Sequence, residues 1–455
     1  KMASGKALSA TVVFLLLMSV QAQETGVQAV REALRSDLAY ARGLVEDDGR
    51  VSRAFDPSGS LRGHVLVGSM VAMIHAGLGD PESLALLNRL ADSINSRVES
   101  EDGLDLGFEA GTLPDADNYL THVLTADFLS AHYGLTMNAR SRENVLKVAE
   151  SLEQRLGWTP ALSKAAYLTL SSRVSYLSGS KPPAADVETA LNDFSDHIMD
   201  LVSFSARGVE GLTTSLYQLS LLLDAAAKAG LTAPKELVAL WAVHVDYVVN
   251  ASESVPITPE NYPRLLGALT SLTYAAEVRG FANSSLAAEH ALRLAGRVSA
   301  MWRSGGRILL LPVNVFDVYQ FDPVVPVGEM VAEVQRGVRP VMADLRFPTL
   351  LLVLERSAGL TPELKEAVSL AVGKVAVVDG YFPLVDKGVV KSEEFVNRWL
   401  RVSLLSTYLA FMRAPAVLQR NATAEIFFDT HPGFLAFLTI LLAAAFLRRT
   451  GMLRW

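Results

Sequence analysis

The chain has 455 residues, 50% of them hydrophobic and 20% charged, with a formal net charge of −7. Cysteine is absent, which excludes disulfides, thiolate metal sites and cysteine nucleophiles together. The charge is mild and mixed in sign along the chain, so neither a basic nucleic-acid footprint nor an acidic solvating tail is present.

The first segment, KMASGKALSATVVFLLLMSVQAQ, sets Lys1 and Lys6 before an apolar run from Ala10 to Val20 and the small residue Ala22. That order predicts a secretory signal over residues 1–22, cleaved after Ala22, so that the body from 23 to 430 is exported. From there apolar residues recur at spacings of three and four in VQAVREALRSDLAYARGLVEDDG, ESLALLNRLADSINSRV and ENVLKVAESLEQRLG. The same spacing continues in LYQLSLLLDAAAKAG, KELVALWAVHVDYVV and AAEHALRLAGRVSAMW. Pro81, Asp115, Pro234 and Thr361 open helices, and glycine closes many of them. Between the charge-rich amphipathic helices lie more uniformly apolar ones, HVLVGSMVAMIHAGLG, YLTHVLTADFLSAHYGL and FPTLLLVLERSAGL. A helix apolar on most sides must be covered on most sides. The expected protein is therefore all-α, with charged helices outside and apolar helices inside. The one β-branched, proline-broken stretch, 307–327, is expected to form an extended insertion.

Loops after the outer helices are long and polar, whereas those after the inner helices are short, as in GLGDPES and GLTMNA. Near the end, Pro432 to Leu447 is an uncharged apolar run of 16 residues closed by Arg448 and Arg449. Arginines on the cytoplasmic side, with stems that snorkel, suit a short membrane anchor over 431–447 and a basic cytoplasmic tail over 448–455. Sequons at Asn250, Asn283 and Asn421 offer glycosylation sites on an exported body.

Two resemblances follow from these residues. Pro432-Gly433-Phe434, the apolar helix and the Arg448-Arg449 end resemble the archaeal PGF-CTERM sorting signal, which implies cleavage near Pro432 and attachment of a lipid in place of the helix. The inner and outer rhythm of the body resembles an (α/α) barrel or toroid of six or seven helical hairpins. An open α-solenoid or a pair of helical bundles is the alternative. The toroid resemblance implies the company of glycoside hydrolases, polysaccharide lyases and sugar epimerases, and also of terpene cyclases and prenyltransferases. No DxDD or DDxxD run occurs, nor any HExxH, GxSxG or P-loop sequence.

In such a ring the long loops gather at one face, and their polar residues are the candidates for chemistry. Glycoside hydrolysis needs two carboxylates across a sugar, one protonated and one ionised. Asp105, Glu109 and Asp117 from the second long loop, with Asp317 from the insertion and Asp386 near the end, are the catalytic candidates. Asp322 and Glu393 are further partners, and the first loop offers Glu46, Asp47, Asp48, Arg50, Arg53 and Asp56. Tyr119, Tyr262, Tyr381 and Trp399 offer flat apolar faces for sugar rings, and Arg62 and His122 offer polar contacts to a substrate. Each also has a plainer reading: Asp115 is a helix N-cap, the loop acids are solvated, and His64 and His122 are core histidines. Arg62, Arg264, Arg346 and Arg398 either hold an anionic sugar or cap neighbouring carbonyls. No cofactor is implied. A structural calcium on Asp105, Glu109 and Asp117 would need oxygen ligands at a spacing that no EF-hand shows.

The sequence therefore points to an outward-facing protein at the cell surface, anchored by one C-terminal helix and acting on or binding glycans, with hydrolase or lyase chemistry. Its rival is a non-catalytic envelope scaffold that binds protein partners. Paired acids roughly 5–10 Å apart in one cleft would favour the hydrolase, a basic tyrosine-lined cleft the lyase, and an apolar outer patch the scaffold.

Overall fold

A computed structural model of the chain describes residues 26–57, 59, 61–100, 116–151, 158–258, 261–303, 346–377, 394, 395, 398, 399 and 401–412. Fifteen helices occupy them: α1 (26–43), α2 (Leu61–Leu78), α3 (Pro81–Glu99), α4 (Ala116–Thr136), α5 (Ala139–Ser151), α6 (Pro160–Leu177), α7 (Ala184–Asp196), α8 (Ile198–Ser205), α9 (Val209–Ala229), α10 (Lys235–Glu253), α11 (Tyr262–Glu277), α12 (Ala282–Arg303), α13 (Arg346–Ala358), α14 (Pro362–Val377) and α15 (401–412). Among the described residues the only β-type pairing is one antiparallel bridge, Val45 with Val51. The protein is all-α, as the apolar spacing predicts.

Local chemistry sets the helix ends. Asp80 accepts the Ser83 N–H at 2.7 Å and Pro81 takes the first position of α3, whose missing donor costs nothing there. Thr159 and Pro160 repeat the device at α6, and Thr361 receives the Leu364 N–H at 3.4 Å at the start of α14. Gly230 closes α9 at φ 74°, the left-handed conformation that a side chain resists.

Two rows of helices result. Helices α2, α4, α6, α9, α11, α13 and α15 are buried over most of their circumference, while α1, α3, α5, α7, α10, α12 and α14 bury one stripe. In α3 that stripe is Leu86, Leu87, Leu90, Ala91, Ile94 and Val98; each such Leu or Ile contributes about 1.5–3 kcal/mol on burial. Along the buried row, α2 packs on α4, α4 on α6, α6 on α9, α9 on α11, and α11 on α13. A Cβ added at Gly77 of α2 would fall 3.0 Å from Leu34 Cδ1 and 3.2 Å from Ser406 Cα, so α1, α2 and α15 meet there. Asp37 of α1 lies fully buried between Arg398, at 2.8 Å, and Arg401, bonding both guanidiniums. One carboxylate thus fastens the first described helix to the last.

The described residues through Ala410 form one compact unit; of the second, Phe411–Trp455, only Phe411 and Met412 are described. The expected signal over 1–22, the expected insertion 307–327, and the expected anchor 431–447 with its tail 448–455 lie outside the described residues. Among the described helices, α2 alone is long and apolar enough to cross a membrane, and it is buried among its neighbours.

Candidate functional site

Four buried-row helices carry charge in their last turns. Arg173 lies in α6, Asp224 and Lys228 in α9, Glu277 at the end of α11, and Arg356 in α13. An isolated charge inside a buried helix is tolerated only when paired, and these pair with one another. Arg173 sits at the base, its side chain 1% exposed, donating from one amine to Asp224 Oδ2 at 3.1 Å and from the other to Glu277 Oε2 at 2.6 Å. Lys228 Nζ donates to Asp224 Oδ2 at 2.5 Å and stands 3.6 Å from the ring centre of Tyr176. Arg356 pairs with the second oxygen of Glu277. Tyr274 lies beneath the Arg173 guanidinium at 5.2 Å and meets Tyr217 edge-on.

The group is buried at one side and slightly exposed at the other. Arg173 and Glu277 are 1% and 3% exposed, whereas Asp224, Arg356 and Lys228 reach 11%, 13% and 16%. Among the described residues, three cations pair with two carboxylates in this cluster. Burial drives the Lys228 ammonium down to about 7, with Arg173 and Arg356 adding to the fall against the pull of Asp224. Burial and then Arg173 bring Arg356 down to about 10. Burial would raise Asp224, but Lys228 and Arg173 together keep its carboxyl below the usual range. Burial raises the Tyr176 phenol, so it remains a neutral O–H. Among the described residues the Tyr176 hydroxyl and Arg173 Nε have no hydrogen-bond partner. Such orphans are rare in buried sites and call for an explanation.

A second polar network joins α4 to α3 and α5. His132 holds Ser141 Oγ at 2.7 Å and Asn88 Oδ1 at 3.0 Å, while Asn144 bonds Asn95 and Glu99. Burial takes the His132 imidazole down to about 4, so it is neutral at physiological pH. Both its nitrogens are engaged, and the network is a tie between helices.

The sequence-derived candidates are placed as follows. Asp105, Glu109, Asp317, Asp322, Asp386, Glu393, Tyr381 and Asn421 lie outside the described residues, and no side chain is described for Asp117, Tyr119, Tyr262 or Arg346. Arg62 Nε donates to Thr121 Oγ1 at 3.2 Å, tying the start of α2 to that of α4. His64, His122 and Trp399 are buried, each at 2% exposure or less. Asp48 accepts from Arg50 across the turn bounded by the Val45 and Val51 pair, so that turn of the first loop is closed on itself. Arg264 is exposed, and Arg398 holds Asp37. Asn250 is exposed on α10, and Asn283 lies 3.4 Å from Asp246 of the same helix. Among the described residues no three His, Asp or Glu side chains group as metal ligands.

The charged cluster is absent from the sequence-derived candidates because those come from the long loops. The cluster lies toward the C-terminal ends of the buried helices, where α6, α9, α11 and α13 pass into α7, α10, α12 and α14 through three to six residues. Its signal was present: RVSYL, DAAAKA, YAAE and ERSA each set a charge in the final turns of an otherwise apolar run. No protein-family profile matches the chain, nor does any curated protein or solved structure.

Proposed function

We propose that the chain is an outward-facing, membrane-tethered ring of helical hairpins that binds glycans at the short-loop end of its buried helices. Support for a ring comes from the unbroken succession of neighbours from α2 to α13, with α15 set beside α2 at Gly77. The observation that carries the binding site is the convergence of Arg173, Asp224, Lys228, Glu277 and Arg356 from four separate helices, with Tyr176 and Tyr274 alongside. Both carboxylates are held by cations, and Asp224 stays below the usual carboxyl range. A retaining or inverting hydrolase needs one acid kept protonated, so this cluster suits binding, or lyase-type elimination, better than hydrolysis. Export and tethering rest on the signal over 1–22 and the apolar run with its arginine end.

The test is binding of the full chain, in detergent, to an array of neutral and acidic oligosaccharides, compared with Arg173→Met. Binding that Arg173→Met abolishes supports the proposal; binding that survives it places the site elsewhere. Intact mass of the native protein checks the tethering, since loss of residues 1–22 is expected, with either the full tail or a lipid near Pro432.

One observation favours the scaffold reading. Val243 and Tyr247, one turn apart on α10, are 49% and 61% exposed. Val243→Glu with Tyr247→Glu would disrupt a protein partner while leaving sugar binding intact.

A further inference from the structure

Resting on the export in the reading above, we propose that Asn250 carries an N-linked glycan whose first sugars lie on Tyr247 and Val243. The exposed face of α10 sets Ala239, Val243, Tyr247 and Asn250 three or four residues apart, so they form one stripe without a charge. Val243 and Tyr247 are 49% and 61% exposed, and Asn250 opens the sequon Asn250-Ala251-Ser252 at the C-terminal end of the stripe. Helical side chains lean toward the N-terminus of their helix, over the preceding turn. The Asn250 amide therefore emerges over the turn of Tyr247, and a glycan grown from it runs on toward Val243, about 10 Å away along the axis. A disaccharide covers that length. The C–H face of a sugar ring is apolar and suits the face of a tyrosine. Its hydroxyls can donate to Asp246, which is exposed beside the stripe.

Other occupants fit this stripe less well. Two side chains fall far short of the roughly 800 Å² per partner that a stable protein contact buries. On α10 the exposed acids Glu236, Asp246 and Glu253 outnumber Lys235, which disfavours a second copy and an anionic lipid surface alike. The sequon at Asn283 differs. Asn283 is half-buried, and its amide nitrogen lies 3.4 Å from both the Ala242 carbonyl oxygen and Asp246 Oδ1 of α10. A chain modified on that nitrogen cannot close α12 on α10, so Asn283 is bare in the folded protein. Ser252 fixes the timing. It is 6% exposed and donates to the Val249 carbonyl oxygen at 3.1 Å, so the hydroxyl that the sequon requires is buried once the helix forms, and transfer precedes folding. The step joins Asn250 Nδ2 to the anomeric carbon of an oligosaccharide carried on a polyprenyl phosphate. The bond from that carbon to the phosphate oxygen breaks, the phosphate leaves with the electron pair, and the nitrogen gives up one proton.

The experiment is glycopeptide mass spectrometry of the full chain purified from the membranes of the cells that make it, followed by nitration of its tyrosines with tetranitromethane. A glycan on Asn250 and none on Asn283 is expected, with Tyr247 nitrated several-fold more slowly than in Asn250→Gln. Asn250 is exposed, so that variant keeps the fold. It should lower the urea midpoint, but not in a Tyr247→Ser background, where the sugar has lost its platform. A bare Asn250 in protein that has lost residues 1–22 would overturn the glycan and leave export standing. A bare Asn250 with residues 1–22 still attached would sink both. A glycan on Asn250 that leaves Tyr247 nitration unchanged would overturn its placement on the stripe, and a glycan on Asn283 would refute the tie to α10. A bare Asn250 with a protein bound over Val243 and Tyr247 would overturn the inference in favour of the scaffold.

Discussion

The same substitution is expected to act with opposite sign at two helical glycines. At Gly134 in α4 an added Cβ would lie 2.4 Å from the Ser171 carbonyl oxygen and 3.0 Å from Val174 Cβ of α6. The nearest obstacle is backbone, so no side-chain rotation relieves it, and α4 and α6 must separate by roughly 1 Å in an interior packed to crystal density. Overpacking of this kind costs about 1–3 kcal/mol, and a backbone obstacle belongs at the upper end. Against it stands the helix-propensity gain of alanine over glycine, about 1 kcal/mol. Gly134→Ala should therefore destabilise by about 2 kcal/mol. At Gly296 in α12 an added Cβ meets nothing within 4 Å, so Gly296→Ala should stabilise by about 0.5–1 kcal/mol. The two variants should thus differ by about 3 kcal/mol. Thermal melting reports this weakly, because a unit of this size moves only about 1 °C per kcal/mol. Urea denaturation resolves it, with a lower midpoint for Gly134→Ala, a higher one for Gly296→Ala and the same slope for both. Equal midpoints would mean that α4 and α6 do not touch at Gly134 and would refute the packing of the buried row.

Other outcomes follow from the charges. Asp37→Ala removes the buried carboxylate that Arg398 and Arg401 share, while Arg398 keeps Glu394, and should cost about 3 kcal/mol; adding Arg401→Met should recover part of that, and strict additivity in the double-mutant cycle would deny the coupling. Lys228 binds its proton less tightly when folded, at about 7, than in the unfolded chain. Stability should therefore rise with pH above 7, by up to about 1.4 kcal/mol per unit, and urea curves at pH 7.5, 8.5 and 9.5 should lose this trend in Lys228→Met. His132 likewise resists protonation, its folded value of about 4 lying below that of the unfolded chain, so stability should fall as pH drops from 6.5 towards 4. Histidine NMR shifts that titrate near 6.5 for His132 would contradict its burial.

How far the fold could be read from sequence depended on whether a residue acts on its neighbours or on something distant in the chain. Pro81 and Thr361 act within one helical turn, and the helices start where they predict. The alternation of apolar and charged helices was legible for the same reason, because burial leaves a compositional trace on each helix separately. The segment LYQLSLLLDAAAKAG shows the limit. Its spacing marks an amphipathic helix, yet α9 is buried nearly all round, because Asp224 and Lys228 find their partners on α6 and each other instead of water. Pairings such as Arg173 with Glu277, 104 positions apart, leave no local mark. Only the repeated placing of a charge near the ends of apolar helices hints that such charges meet.

Asp37 gives the molecule a timetable. Its partners Arg398 and Arg401 follow 361 and 364 residues later, which at about 5–20 residues per second is roughly 20–70 s of synthesis. Throughout that interval α1 has a carboxylate that cannot be buried in its final setting, so the first described helix is among the last to be sealed. A chain halted or clipped before Arg398 would leave that seam open and its apolar faces available to chaperones and proteases. The clasp thus makes synthesis as far as Arg401 a condition for sealing α1.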